Sequence, residues 1–327
     1  MLVKGPKQTK LVFSPSIYSE LIPEDHFLRE LDKCIDWSRI EAAILPLYCK
    51  DNGRPVTNIP RRMFKAEVLQ FMYDWSDRKM IEHGRYNILV KWFLDLGIDE
   101  EPFDFTALSK FRAKLGVKLH TELFLDILEQ IDAAGFLDFK EQFIDATSIL
   151  GDVAVCSTTQ LISKACTHLA RKLEEEGHPV SFKEERKSLQ KVAEKASHLL
   201  ETAEHIPGAE HEREILQSIL SDYTECLDGV ITERKKKGSD RIVSVTDEDV
   251  RWGAKSDKKT WPGYKLHNMM TENRFITSVI VTPGNVTDDK EAVPLFEQQE
   301  KKPETVTGDG SYGTGENRLR FKKKAVN

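Results

Sequence analysis

The chain has 327 residues, 39% of them hydrophobic, and 48 Lys and Arg against 54 Asp and Glu give a net charge of -6. That length is ample for two domains with cores of their own, and the apolar share is too high for a disordered chain. No stretch reaches the roughly 20 uninterrupted apolar residues of a membrane span, and the lysines of residues 1–10 have no apolar signal core behind them. The acidic balance excludes a strongly basic nucleic-acid coat but leaves local basic patches open. The five cysteines, Cys34, Cys49, Cys156, Cys166 and Cys226, are odd in number and include no Cys-x2-Cys pair. This argues against a disulfide scaffold or zinc knuckle and points to a reducing, cytoplasmic setting.

Residues 1–40 read as a loosely structured arm that turns helical near Pro23–Trp37. From Glu41 to Gly135 the periodicity is helical. Arg61–Asp74 sets Met63, Val68, Leu69, Phe71 and Met72 on a broad apolar face. Ser76 suits an N-cap for Asp77–His83, and Tyr86–Leu96 is apolar enough to cross a domain centre. Thr106 is a second cap, opening Ala107–Leu115. Gly116 ends that helix, and Gly135 ends the next, Val117–Ala134. Residues 41–135 therefore predict an all-helical domain.

At Phe136 the pattern changes. Phe136–Ile149 is rich in β-branched and aromatic residues and predicts a strand. Residues 157–234 return to helix in three charged amphipathic segments, broken near Glu176–Ser181 and Ile206–Gly208. Glu233–Asp257 reads as a loop holding one short strand, Arg241–Val245. Strands at Gly263–Met270 and Arg274–Thr282, a helix at Asp288–Glu300, a strand at Glu304–Thr307 and a helix from Gly315 follow. The order implies an α+β or α/β domain over residues 136–327, with the helical block near 157–234 as an insertion.

Asp145, in FIDATSI, is the first candidate for chemistry, because an unpaired carboxylate inside an apolar strand is costly to bury. On local sequence alone the plainer reading, an acid at the strand's end that caps a turn or pairs with a lysine, is the favoured one. Asp309 lies where a short strand runs into Gly308-Asp309-Gly310, which also reads as a simple Asp-Gly turn. Together, two strand-end aspartates could hold magnesium, which takes hard oxygen ligands and stabilises charge in phosphoryl displacement. His267, in GYKLH, could orient a phosphate or a water, or serve as a structural strand histidine. Asp288 and Asp289 are expected to cap the following helix. No GxSxG, P-loop or HExxH pattern competes.

The combination resembles the DDE transposases of bacterial insertion sequences, in the branch with an InsH-type helical amino-terminal domain. The resemblance rests on Asn52–Met80, Arg85–Leu96 and Phe103–Leu115 in the helical region. It continues through FIDATSI, Lys258–His267, Val281–Phe296 and Gly308–Thr314, in the family's order. It implies a ribonuclease-H-like fold with Asp145 and Asp309 as the first two catalytic, metal-binding acids. The implied chemistry is Mg2+- or Mn2+-dependent strand cleavage, then attack of a liberated 3′ hydroxyl on target DNA. Implied partners are the element's terminal inverted repeats, target DNA and a second copy of the chain, in a bacterial cytoplasm near the nucleoid and away from membrane.

One departure stands out. The family's third acid is a Glu in a Tyr-x2-Arg-x3-Glu setting downstream of the second Asp. The sequence runs eighteen residues past Asp309 without such a setting, and Glu316 comes too soon to take the role. The expectation is therefore an incomplete ribonuclease-H-like domain with exposed edges and apolar surface, inactive alone. The alternative is a non-catalytic DNA-binding or dimerising fragment, a transposition inhibitor or a relic. Candidate DNA contacts are Arg54, Arg61, Arg62, Arg112, Lys114, Lys235, Lys236, Lys237 and His267, with the dense runs Arg234–Lys237 and Lys322–Lys324 as the basic stretches.

Overall fold

His26, Asp36, Ser76, Asn87 and Asp104 each aim a side-chain acceptor at the first free backbone amides of a helix. These caps help parcel the first part of the chain into α1 (Ser14–Leu21), α2 (Phe27–Cys34), α3 (Trp37–Ile44), α4 (Pro60–Tyr73), α5 (Asp77–Tyr86), α6 (Ile88–Phe93) and α7 (Phe105–Ala133). The computed structural model describes residues 14–48, 59–184, 187–256 and 259–323. Contacts divide the chain into two units, Met1–Leu137 and Asp138–Asn327.

In the first unit Leu28, Ile40, Ile44, Leu69, Phe93, Leu94 and Leu108 are fully buried. Trp37 meets Phe93 edge to face at 5.7 Å. The core also holds charge. Lys65, 2% exposed, pairs with Asp32 at 2.8 Å and Asp95 at 3.5 Å and lies over the Trp37 and Phe93 rings.

Several expectations for this unit need correction. The arm is helical from Ser14, and the helix expected across Pro23–Trp37 is two helices, α2 and α3, parted by the Asp36 cap. Phe71 and Met72 are not on the buried face of α4; Phe71 is 83% exposed, and Phe64 and Ala66 take the core positions. Asp104, not Thr106, caps α7, accepting from the Thr106 amide at 2.8 Å and its hydroxyl at 2.6 Å. The break expected at Gly116 is there: the residue is non-helical (φ 65°, ψ 173°), and a second helical stretch of α7 runs on to Ala133.

The second unit begins with β1 (Glu141–Leu150). A bundle follows: α8 (Thr158–Glu175), opened by a Ser157–Gln160 capping box, then α9 (Leu189–Ala203) and α10 (Glu210–Tyr223). Ile162, Cys166, Leu169, Val192 and Leu216 fill its core. The bundle ends in a hairpin, β2 (Thr224–Leu227) and β3 (Val230–Glu233), where helix was expected up to Arg234. The strand expected at Arg241–Val245 is absent, and the strand of this stretch is β4 (Arg251–Ser256).

Then come β5 (Lys259–Thr271), β6 (Ile276–Pro283), a 3-10 turn at Asp288–Glu291, α11 (Ala292–Gln298), β7 (Thr305–Gly308) and α12 (Gly315–Lys323). The sheet runs β4-β5-β1-β7, with β6 also paired to β5. β1 is antiparallel to β5, from Gln142 opposite Thr271 to Leu150 opposite Gly263. It is parallel to β7, from Glu141 opposite Thr305 to Ile144 opposite Gly308. Ile144, Met269, Ala292, Leu295, Phe296 and Tyr312 form the core on one side of the sheet. Alternation turns Phe143, Asp145 and Ile149 to the other side, where Phe143 and Ile149 are exposed. A helical unit followed by a mixed sheet with helices is the α+β arrangement expected of a ribonuclease-H-like domain.

Candidate metal and nucleic-acid site

The site begins with the β1–β7 register. Ile144 faces Gly308 across a parallel ladder, so Asp145 and Asp309 each come one residue later on neighbouring strands. Such strands are about 4.8 Å apart. A glycine is required at 308: a Cβ there would lie 2.5 Å from Ile144 Cγ2 and 3.4 Å from Tyr312 Cβ. This close approach lets Asp309 leave the strand beside Asp145. Both acids are exposed.

Each carboxylate has one oxygen engaged locally. Asp145 Oδ1 accepts from the Ala146 amide at 2.7 Å. Asp309 Oδ1 accepts from the Ser311 amide at 2.9 Å and from the Ser311 hydroxyl. The Ser311 hydroxyl, more than anything else, holds the Asp309 carboxyl below its ordinary range. Oδ2 of both residues has no hydrogen-bond partner among the described residues.

Beneath the pair lies a buried polar column. Tyr312 is 4% exposed and its hydroxyl is 3.2 Å from His267 Nδ1; His267 Nε2 is 3.0 Å from Thr282 Oγ1. Asn317 donates to the Tyr312 carbonyl at 3.0 Å and to the Asp289 carbonyl at 2.7 Å, fixing the loop from below. Burial first, then the charges of Asp288, Asp145, Asp309 and Glu291, drive the Tyr312 phenol well above its usual range. The phenol stays neutral and feels both candidate acids. Asp288 does not cap the following helix: its carboxylate pairs with Lys265 at 2.8 Å, and no side chain caps the 3-10 turn.

The other expected site residues scatter. His267 is fully buried with both ring nitrogens engaged, so it orients no DNA phosphate here and is a structural residue of the column. Burial lowers its pKa. Arg62, 9% exposed, donates to the Leu94 and Asp95 carbonyls at 2.8 and 2.7 Å and pairs with Glu100 at 2.8 Å; it holds a loop instead of presenting a free cation. Arg61 pairs with Asp95 at 3.1 Å and Arg112 with Asp77 at 2.7 Å. Lys114 sits 3.8 Å over the Tyr48 ring. Arg54 lies outside the described residues. Lys235 and Lys236 are exposed, and Lys237 pairs with Glu233.

Hard carboxylate oxygens from adjacent strands, Asp145 midway along β1 and Asp309 just past the end of β7, with one oxygen of each unengaged, suit Mg2+ or Mn2+. Among the described residues no group of three or more His, Cys, Asp and Glu is placed to hold a metal ion, so the geometry offers a pair. Sequence reading missed Tyr312, although the residue stands inside the GDGSYGT block. Its signal was an aromatic three residues after the acid, which pattern alone does not separate from turn filler.

A family model described as a transposase domain (DUF772) matches residues 16–114, and one described as a transposase DDE domain matches residues 198–327. The second span contains Asp309 and not Asp145. No curated protein and no solved structure matches the chain.

Proposed function

Since the chain belongs to the DDE transposases of insertion sequences, we propose that Asp145 and Asp309 are its metal-binding acids and that its substrate is DNA. The observation that carries this reading is the parallel register of Ile144 with Gly308, which brings two acids distant in sequence to one edge of neighbouring strands. A divalent magnesium or manganese ion bound there would supply Lewis-acid activation of an oxygen nucleophile and charge stabilisation at phosphorus. Asp145 and Asp309 would hold it through their unengaged oxygens. Ser311 keeps Asp309 ionised and oriented, and the Tyr312–His267 column fixes the loop carrying it.

Among the described residues no third His, Cys, Asp or Glu joins the pair. We therefore expect this polypeptide by itself to bind DNA and divalent ions but to cleave strands poorly. A non-catalytic DNA-binding or dimerising role is the second reading, and the same observation favours it.

The test is Mn2+ binding, followed by calorimetry or by the paramagnetic signal of free ion. Asp145→Asn and Asp309→Asn should each abolish binding while leaving the fold intact, because both side chains are exposed. Undiminished Mn2+ binding in the double variant would overturn the assignment. Efficient Asp145-dependent cleavage by this polypeptide would instead show that the acid pair suffices.

A further inference from the structure

The helical insertion ends in a basic cleft. The hairpin β2–β3 and the loop after it shape a hollow of about 510 Å³ lined by Glu233, Arg234, Lys235, Lys237 and Arg241. Two acids border it, and both are engaged: Glu233 pairs with Lys237 and accepts from the Thr158 hydroxyl, while Asp240 pairs with Arg251 at 3.2 Å. Arg234 and Arg241 donate to the carbonyls of Thr224 and Gly238 and pair with no carboxylate among the described residues. Lys235 and Lys236 are exposed and likewise pair with no carboxylate among the described residues. Four cations are thus left uncompensated on one short loop of a chain whose net charge is -6.

The loop is held at both ends. Ile231 donates its amide to Gln190 of α9, Lys237 lies 5.0 Å over the Tyr223 ring, and the Tyr223 hydroxyl donates to the Ile242 carbonyl at 2.7 Å. Arg241 lies 5.7 Å over Trp252 of β4, and Asn285, just past β6, donates to Asp240 at 3.2 Å. These anchors set the cations in place before any ligand arrives, which lowers the ordering cost of binding.

They also set its position. Arg251 of β4 pairs with Gly263 of β5, which pairs with Leu150 at the carboxyl end of β1. Asp145 lies five residues back along β1, about 17 Å of extended chain. Half a turn of duplex DNA covers about the same distance. We infer that the Arg234–Arg241 cleft of the insertion grips the phosphate backbone of the duplex whose end lies at Asp145 and Asp309, about half a helical turn or more from the scissile phosphate. The inference rests on the DNA reading above. It gives the insertion a role of its own, holding DNA rather than another subunit.

The experiment measures binding of a fluorescently labelled 30-base-pair duplex to the full chain across a salt series. Lys235→Gln/Lys236→Gln should weaken binding on the order of tenfold and reduce the slope of log K against log salt by about 2, one unit for each phosphate no longer neutralised. Lys235→Arg/Lys236→Arg should retain both affinity and slope, and Lys191→Gln, on α9 of the same insertion, should leave both unchanged. If the unmodified chain binds and the Lys235/Lys236 double variant binds equally well with the same slope, the cleft is overturned while the DNA reading stands. If the unmodified chain binds no duplex, the DNA reading falls and the cleft with it.

Discussion

The Tyr312 hydroxyl and His267 Nδ1 meet at 3.2 Å inside the second unit, directly under the loop that carries Asp309. The contact joins residues from β5 and from the turn after β7, and Thr282 of β6 completes it at 3.0 Å. Three separate stretches of the chain are pinned at one point. An unpaired nitrogen or hydroxyl there would be costly, because neither side chain reaches water. Tyr312→Phe keeps the ring and removes the hydroxyl, and should cost about 1 kcal/mol in urea denaturation.

The same contact makes stability depend on pH. Burial depresses the folded pKa of His267 below its unfolded value. The unfolded chain then binds the proton first as pH falls, so the contribution is fully present above about 6.5 and is lost progressively below it. Denaturation midpoints of the second unit measured between pH 7.5 and 5 should fall for the unmodified chain. His267→Gln should flatten that fall even where it lowers stability overall.

Ser311 tunes Asp309. Its hydroxyl and amide hold the carboxyl below the usual range, so Asp309 stays ionised into mild acid. Ser311→Ala should raise that pKa and let protons compete with metal at higher pH. Mn2+ affinity should then be nearly unchanged at pH 7.5 and weaker than that of the unmodified chain below about pH 4, where an ordinary Asp carboxyl protonates; equal affinity of the two chains at both values would separate Ser311 from the metal site.

Glu67 of α4 gives the first unit an opposite dependence. It is 3% exposed, Oε1 has no hydrogen-bond partner among the described residues, and Oε2 is 3.4 Å from His120. Burial raises its pKa despite the lowering influence of His120 and Arg112. The folded chain therefore holds the proton more tightly, and stability declines as pH rises from the unfolded value through the folded one. Glu67→Gln should stabilise the unit by about 1 kcal/mol at pH 8, with the gain vanishing near pH 4. Thermal melts at the two pH values measure it.

Gly263, the first residue of the GYKLH block, sits at φ 155°, and a Cβ there would fall 2.0 Å from the Ile149 carbonyl oxygen and 2.6 Å from the Gly151 nitrogen. Gly263→Ala should cost about 3 kcal/mol or more, since backbone must move to admit one methyl. Gly310→Ala, beside Asp309 but with no atom of the described residues within 4 Å of its Cβ position, should stay within about 0.5 kcal/mol. Chemical denaturation of the two variants provides the comparison.

The elements that local pattern specifies were legible. Ser76 caps α5, the three helices of the insertion break near Glu176 and Ile206, and β5, β6, β7 and α12 fall close to their expected ranges. Phe71 misled because helical periodicity marks an apolar stripe without saying which edge of it a neighbour covers. The β2–β3 hairpin was read as helix because a four-residue strand shows too little alternation to be told from a helix end. His267 and Arg62 looked available as DNA contacts because sequence carries residue type but no burial.

By itself, the amino-acid order determined that a helical region precedes a strand-rich one, that Asp145 stands in a strand and that Asp309 directly follows one. Those properties follow from periodicity, caps and turn residues within a few positions of each other. Only the tertiary structure decided that β1 and β7 lie side by side in parallel register, that Tyr312 and His267 close beneath the acids, and that four cations of the insertion meet no carboxylate partner among the described residues. Each of these depends on which distant side chain arrives to pair or bury a group, and that is set by packing of the whole unit rather than by any local pattern.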